Sequence, residues 1–189
     1  MSPTRGVMGH SWPARIAPCA CGRADTFGAM TAREATAADV ERMVALADNA
    51  RHEYEPHAPV FQRPAANAKE VHRPWLFQLV EDLDVGTFAH ENSDGDVDGF
   101  VIITTVPAPP VYDPGGLSSI IDDFVVSSPD KWATAGVTLL QAATAWARER
   151  GAVQVVVVSG PHDGPKRAAL HDAGLSVASE WFTAPLDES

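Results

Sequence analysis

The spacing of hydrophobic residues changes several times along this chain, and each change predicts an element. Ala32 to Ala35 reads as a short strand. Thr36 and Asp39 then stand as N-cap and N3 of a capping-box start. Val40, Met43, Val44, Ala47 and Ala50 recur every three or four residues, the period of an amphipathic helix running to about Tyr54. Pro56, Pro59 and Pro64 break the next stretch into a loop. A second helix is predicted from Ala68 to Asp82, interrupted before Pro74. Strands come next at Gly86–Glu91 and Gly99–Val106, and Asn92-Ser93-Asp94-Gly95 joins them as a hairpin. The proline- and glycine-rich stretch Pro107–Gly116 leads to a strand at Ser119–Val126 and a long helix from about Ala133 to Arg150. Arg148, Arg150 and Gly151 supply the C-terminal cations and C′ glycine of that helix. Val153–Val158 is a continuous β-branched run, predicted to be a strand buried on both faces. A short helix, Pro165–Ala173, and a last strand, Val177–Thr183, complete an order of β-α-α-β-β-β-α-β-α-β. With no internal repeat, that order gives a mixed-sheet α/β or α+β fold.

The first 29 residues show neither period. Rich in Pro, Gly, Ala and Ser, they lack the apolar run of a secretory signal. They are expected to be a disordered leader or an over-extended start, with a single domain over residues 30–189. Cys19, Cys21 and His10 fall in this stretch, and such a tail makes a poor zinc site, so no metal is expected.

Charge adds a constraint. The 189 residues carry 14 Lys and Arg against 25 Asp and Glu, a net charge of −11. An acidic chain repels phosphate backbones, so nucleic acid is not an expected partner. No apolar run approaches the ~18–20 residues of a membrane span, and a soluble, cytoplasmic protein is expected. The charge is uneven. Between Pro74 and Asp130 there is no Lys or Arg, yet eleven Asp and Glu, and cations resume at Lys131.

Lys131 lies in the stretch that carries chemistry: Asp122-Asp123-Phe124-Val125-Val126-Ser127-Ser128-Pro129-Asp130-Lys131-Trp132-Ala133-Thr134-Ala135-Gly136-Val137-Thr138-Leu139-Leu140. A strand enters a loop of small residues that opens a helix. Exposed backbone N–H groups and the helix dipole there suit a pyrophosphate. Small residues at a helix start also simply pack well.

This stretch resembles the core motif of the GNAT family of N-acetyltransferases, V-x-P-x-x-(Q/R)-x-x-G-x-(G/A) followed by x-x-L-L. Val126 matches the valine, Lys131 the Gln/Arg position, Gly136 the last small residue, and Leu139-Leu140 the leucine pair. Ser128 stands at the proline position, Trp132 replaces a common glycine, and Thr134 occupies the middle glycine. Arg33-Glu34-Ala35-Thr36-x-x-Asp39-Val40 resembles the family's opening, Gly99-Phe100-Val101 its "G-hydrophobic" strand, and Gly174-Leu175 its closing Gly-Phe. The likeness covers about residues 31–183. It implies an acyltransferase-like α+β fold, with a central, mostly antiparallel sheet flanked by helices and a parallel strand pair at the cofactor site.

The resemblance also implies an activity: transfer of an acetyl group from acetyl-coenzyme A to a primary amine by direct attack. Its cofactor residues fall on Val125, Val126, Lys131, Trp132, Ala133, Thr134, Ala135, Gly136 and Val137. The backbone N–H of Val126 takes the position that polarises the thioester carbonyl. Asp122, read by strand alternation as sharing a face with Phe124 and Val126, is the first candidate base, and Asp123 the second. Adjacent aspartates read equally well as a strand cap or an ion-pairing site. Trp132 reads as stacking on the cofactor or covering the helix end, and Lys166 and Arg167 as reaching phosphates or as surface charges. The family's tyrosine acid falls on Leu170, which has no proton to give, and a cofactor-contacting asparagine falls on Asp163. A binding module that senses acyl-coenzyme A with little catalysis is therefore the alternative. Gly136→Glu is expected to abolish cofactor binding with the fold largely intact. The acidic middle favours a cationic amine acceptor, bound by a monomer or homodimer.

Overall fold

A computed structural model of the protein describes residues 31–186, so the leader, its cysteines and His10 lie outside the described residues. Strand β1 (Thr31–Glu34) leads through a 3-10 turn into α1 (Val40–Tyr54), and a loop connects α1 to α2 (Ala68–Glu81). Then come β2 (Val85–Glu91), β3 (Val97–Val106), β4 (Leu117–Val126), α3 (Ala135–Glu149), β5 (Ala152–Val157) and α4 (Gly164–Asp172). The sheet order is β1-β2-β3-β4-β5. Pairs up to β3–β4 are antiparallel and β4–β5 is parallel.

Helices cover both faces of the sheet. One core joins α3 to the sheet through Phe88, Val101, Ile121, Leu139, Ala143 and Trp146. The other joins α1 and α2 to it through Met43, Val44, Leu76, Phe100 and Ile102. The capping box at Thr36–Asp39 forms as the spacing predicts. Arg33 of β1 extends it with two hydrogen bonds to Asp39, at 2.8 and 2.9 Å. This guanidinium, ahead of the smaller backbone contribution of Thr36, holds the Asp39 carboxyl near 2 despite its burial.

Three expectations are corrected. Pro74 does not interrupt α2; it is exposed, and water can satisfy the carbonyl its ring leaves unbonded. β5 is not buried on both faces. Val153 and Val156 are 53% and 42% exposed because no strand lies beyond β5 among the described residues. Val177–Thr183 forms no strand: these residues are exposed coil, since a strand exists only against a partner and this segment meets none among the described residues.

Candidate active site

The site begins with one extra residue in β4. Val101 pairs with Phe124 but Ile103 pairs with Ile121, so Ile102 alone faces both Asp122 and Asp123. This β-bulge resets the alternation. Ile121 and Phe124 both enter the α3-side core, while Val125 turns to the α1–α2 core. The reading of Asp122 as sharing the face of Phe124 and Val126 is therefore corrected. Asp122 is exposed and its Oδ1 accepts the N–H of Asp123 at 2.9 Å. Asp123 turns toward α2, its Oδ2 lying 3.7 Å from Nε2 of the buried His72.

The backbone is reset as well. The Ile121 carbonyl accepts the last β5 bond, from Val158 N–H at 2.8 Å. Beyond it, Gly160 and Pro161 carry the chain away, and β4 runs on alone to Val126. Ser127 N–H bonds back to Asp98 on the β3 side, at 2.7 Å. By alternation, the Phe124 carbonyl and the Val126 N–H both point into the gap that β5 leaves. Two parallel strands thus splay apart, and the inner one presents a donor and an acceptor that no strand pairs.

Lys166, third residue of α4, fills the Phe124 end of that gap. Its Nζ is 3.0 Å from the Phe124 carbonyl, to which it donates, and about 5 Å from the ring centroids of Phe124 (5.3 Å) and Trp132 (5.2 Å). Only 4% of the residue is exposed. Burial pulls its pKa down to about 8, against the opposing charges of Asp163 and Asp123. Lys166 is neither a surface charge nor placed to reach a phosphate, and nothing in its sequence position distinguishes it from Arg167. Only the splay shows where it points.

Beside the gap is a cavity of about 240 Å³, bounded by Tyr54 and Glu53 of α1, Phe124 to Val126, Trp132, and His162 and Asp163 before α4. Asp163 caps α4, accepting Lys166 N–H at 3.1 Å, and also accepts a short hydrogen bond from the Tyr54 hydroxyl. Burial, then Asp163, raises the Tyr54 pKa well above its ordinary value. The Tyr54 ring lies so close to Gly160 that no side chain fits there. His57 and His162 stack at 4.8 Å across the cavity mouth. Leu170 is buried in the apolar core with Trp132, and the phenol on the cavity wall is that of Tyr54, from α1.

The phosphate-loop residues divide into two groups. Lys131 is half-buried with its Nζ 3.9 Å from Asp98, and Ala133 and Thr134 are exposed. Ala135, Gly136 and Val137 form the first turn of α3, with Ala135 and Gly136 buried; N–H groups at a helix start have no acceptor within the helix. Trp132 is buried, edge-on to Phe124 at 4.8 Å, and covers the helix end rather than standing open to stack on a ligand. A Cβ on Gly136 would lie 2.6 Å from the Trp132 ring. Gly136 is thus needed for the indole, and the expectation that Gly136→Glu spares the fold is corrected.

No protein-family model matches the sequence, and no curated protein does. Solved structures match the fold. A point mutant of a Bacillus halodurans protein superposes with a TM-score of 0.73 at 16% identity, covering 83% of this chain and 99% of its own. An aminoglycoside N-acetyltransferase in complex with coenzyme A gives 0.62 at 11%, covering 84% and 95%. A predicted acetyltransferase from Clostridium acetobutylicum, solved with acetyl-coenzyme A, gives 0.61 at 14%, covering 83% and 96%.

Proposed function

The fold is that of GNAT-type acetyltransferases, and on that premise we propose that this chain transfers an acetyl group from acetyl-coenzyme A to a cationic primary amine. The observation that carries the reading is the unpaired inner edge of β4, set between the 240 Å³ cavity and the first turn of α3. An extended arm bearing amide groups can add to that edge as a strand would. Its thioester carbonyl then accepts the Val126 N–H, and its phosphates lie toward Lys131 and the N–H groups of Ala135–Val137. That two fold neighbours were solved with coenzyme A or acetyl-coenzyme A supports the same assignment.

The Glu53 and Asp163 carboxylates attract an ammonium to the cavity. The amine must shed its proton before it attacks the thioester carbon. It then forms the amide, giving up its second proton to solvent, as the C–S bond breaks and the coenzyme A thiolate leaves. We assign proton removal to the carboxylates of the bulge, Asp123 ahead of Asp122, because Asp123 has His72 beside it to pass a proton on. A thiol pKa of ~8.5 lets the thiolate leave without the hydroxyl that Leu170 lacks.

The second reading, an acyl-coenzyme A sensor, is favoured by Leu170, which is buried in the apolar core and has no proton to give a leaving thiolate. One experiment separates the two: thermal shift with acetyl-coenzyme A, run beside thiol release over a panel of amines. Stabilisation with thiol release on cationic amines is the expected result. Stabilisation without release on any amine selects the sensor, and no stabilisation by any coenzyme A species removes both.

A further inference from the structure

In a parallel strand pair, one partner residue makes two bonds to the edge it faces. Its N–H donates to one carbonyl, and its own C=O accepts the N–H two residues further on. On the inner edge of β4, past the Ile121 carbonyl where β5 makes its last bond, those two groups are the Phe124 carbonyl and the Val126 N–H. The first is taken. Lys166 Nζ donates to the Phe124 carbonyl at 3.0 Å, and so stands where the nitrogen of that partner residue would be. The second is the donor assigned above to the thioester carbonyl, which then stands where the carbonyl of the same residue would be. In a peptide one Cα separates those two atoms, the nitrogen and the carbonyl carbon, and they lie about 2.5 Å apart. An amine and a thioester held on these two groups are therefore brought into near-attack range, ~3–3.5 Å.

The surroundings of Lys166 suit a nucleophile. Only 4% of the residue is exposed, and its Nζ faces the rings of Phe124 and Trp132. The Phe124 carbonyl is its one hydrogen-bond partner among the described residues, while Asp163 and Asp123 act on it through space alone. Burial brings its pKa to about 8, so a share of chains near neutral pH carries Lys166 as an uncharged amine. Such an amine gives one hydrogen to Phe124 and keeps a lone pair for a carbon. The other two lysines of the chain are placed differently. Lys69 is half exposed and paired with Asp48 at 2.7 Å, and Lys131 stands 3.9 Å from Asp98.

We propose that Lys166 is a self-acetylation site, its Nζ taking the acetyl group of acetyl-coenzyme A bound at the β4 edge. This step rests on the acetyl-coenzyme A reading above and needs only its binding half. The nitrogen lone pair forms the N–C bond, the C–S bond breaks with its electrons on sulfur, and the proton that the nitrogen sheds goes to that sulfur. The products are an N-acetyl-lysine and coenzyme A thiol. The remaining N–H keeps its bond to Phe124, and the acetyl group stays where the thioester stood. The modified side chain has no charge to bury between two aromatic rings. The mark therefore stabilises the chain and fills the site of a second thioester, so each chain makes it once.

The full chain, incubated with acetyl-coenzyme A and no amine, is expected to release one coenzyme A per chain and then stop. Mass spectrometry should show the gain of one acetyl group, which peptide mapping places on Lys166 and not on Lys69 or Lys131. The marked chain should melt at a higher temperature than the unmarked one. Lys166→Arg should lose the mark. Because a buried guanidinium can disturb folding, Val126→Pro is read beside it with Lys166 in place, and should slow marking by about 10²–10³-fold. Thermal shift with coenzyme A, which has no acetyl group to give, runs in parallel. Stabilisation by coenzyme A with Lys166 left unmodified overturns this proposal and leaves the cofactor reading standing. Marking of Lys166 at an unchanged rate in Val126→Pro also overturns it, since the edge donor would then have no part. No stabilisation by coenzyme A removes the cofactor reading, and this proposal with it.

Discussion

Two strand edges that no other strand covers among the described residues, the inner edge of β4 and the outer edge of β5, differ in almost every property that decides what an open edge does. The inner edge, Phe124 to Val126 of β4, is short, begins at a bulge, and is enclosed by α4, Trp132 and the end of α1. A side chain already occupies its carbonyl. The outer edge, along β5, is longer, carries no charge, and is open to solvent on its valine face. Enclosure limits the first to a thin ligand with a few polar groups. Openness leaves the second wide enough for a whole strand. The same backbone chemistry thus suits a small molecule or a strand, according to what stands around it.

Proline substitution is the sharpest way to break the comparison. Val126→Pro removes the N–H that faces the gap without removing a ladder bond to β3. It should lower kcat/KM for thiol release by about 10²–10³-fold, the cost of losing one donor to a developing oxyanion, and leave the circular-dichroism spectrum unchanged. Val155→Pro, on the outer edge, should leave thiol release per chain unchanged, because its N–H faces away from β4. If either substitution produced the other's effect, the edges would not be separate in function.

Lys166 supplies the next largest effect. Its pKa is about 8 in the folded chain against 10.5 when free, so the folded state holds fewer protons between those values. Stability therefore rises with pH from about 8 toward 10.5, and the burial penalty is fully present below pH 8. Lys166→Met should raise the unfolding free energy at neutral pH by up to about 3 kcal/mol, and the gain should vanish as pH approaches 10.5. Denaturant titrations at three pH values check both. A gain that does not change with pH would mean the ammonium is solvated. Lys166→Ala also frees the Phe124 carbonyl, and should tighten acetyl-coenzyme A binding by about tenfold in calorimetry, one hydrogen bond's worth.

The smallest expected effect is at the cavity's far wall. Tyr54→Phe leaves Asp163 without its short hydrogen bond and should raise the amine KM about three- to tenfold, with little change in kcat. Steady-state kinetics on the best amine of the panel measures it.

How much of this architecture is legible in the sequence depends on how local each signal is. Helical periodicity locates α1 through Tyr54, and the Asn92–Gly95 turn locates the β2–β3 hairpin, because both are decided within a few neighbouring residues. The bulge is not legible: Asp122-Asp123 reads as ordinary alternation, and the extra residue shows only against Ile102 across the ladder. Simple alternation therefore puts Asp122 on the wrong face. The contacts of Lys166 and Tyr54 are hidden for a similar reason, since their partners Phe124 and Asp163 are 42 and 109 residues away. Val153–Val158 reads as a doubly buried strand because its composition is that of one. Composition states what a segment needs, not whether its own chain supplies it.

The bulge has a consequence for how this chain can vary over time. Loss of either Asp122 or Asp123 would restore even counting along β4. Phe124 would stay opposite Val101 in the α3-side core, and the same carbonyl and N–H would still face the gap. Most surface positions tolerate a codon gained or lost. Here a single-codon deletion would remove the bulge and one carboxylate and keep the groups that line the cleft, so descendants can lose one of the two aspartates outright, whereas an added residue would need a second bulge to hold Phe124 in place.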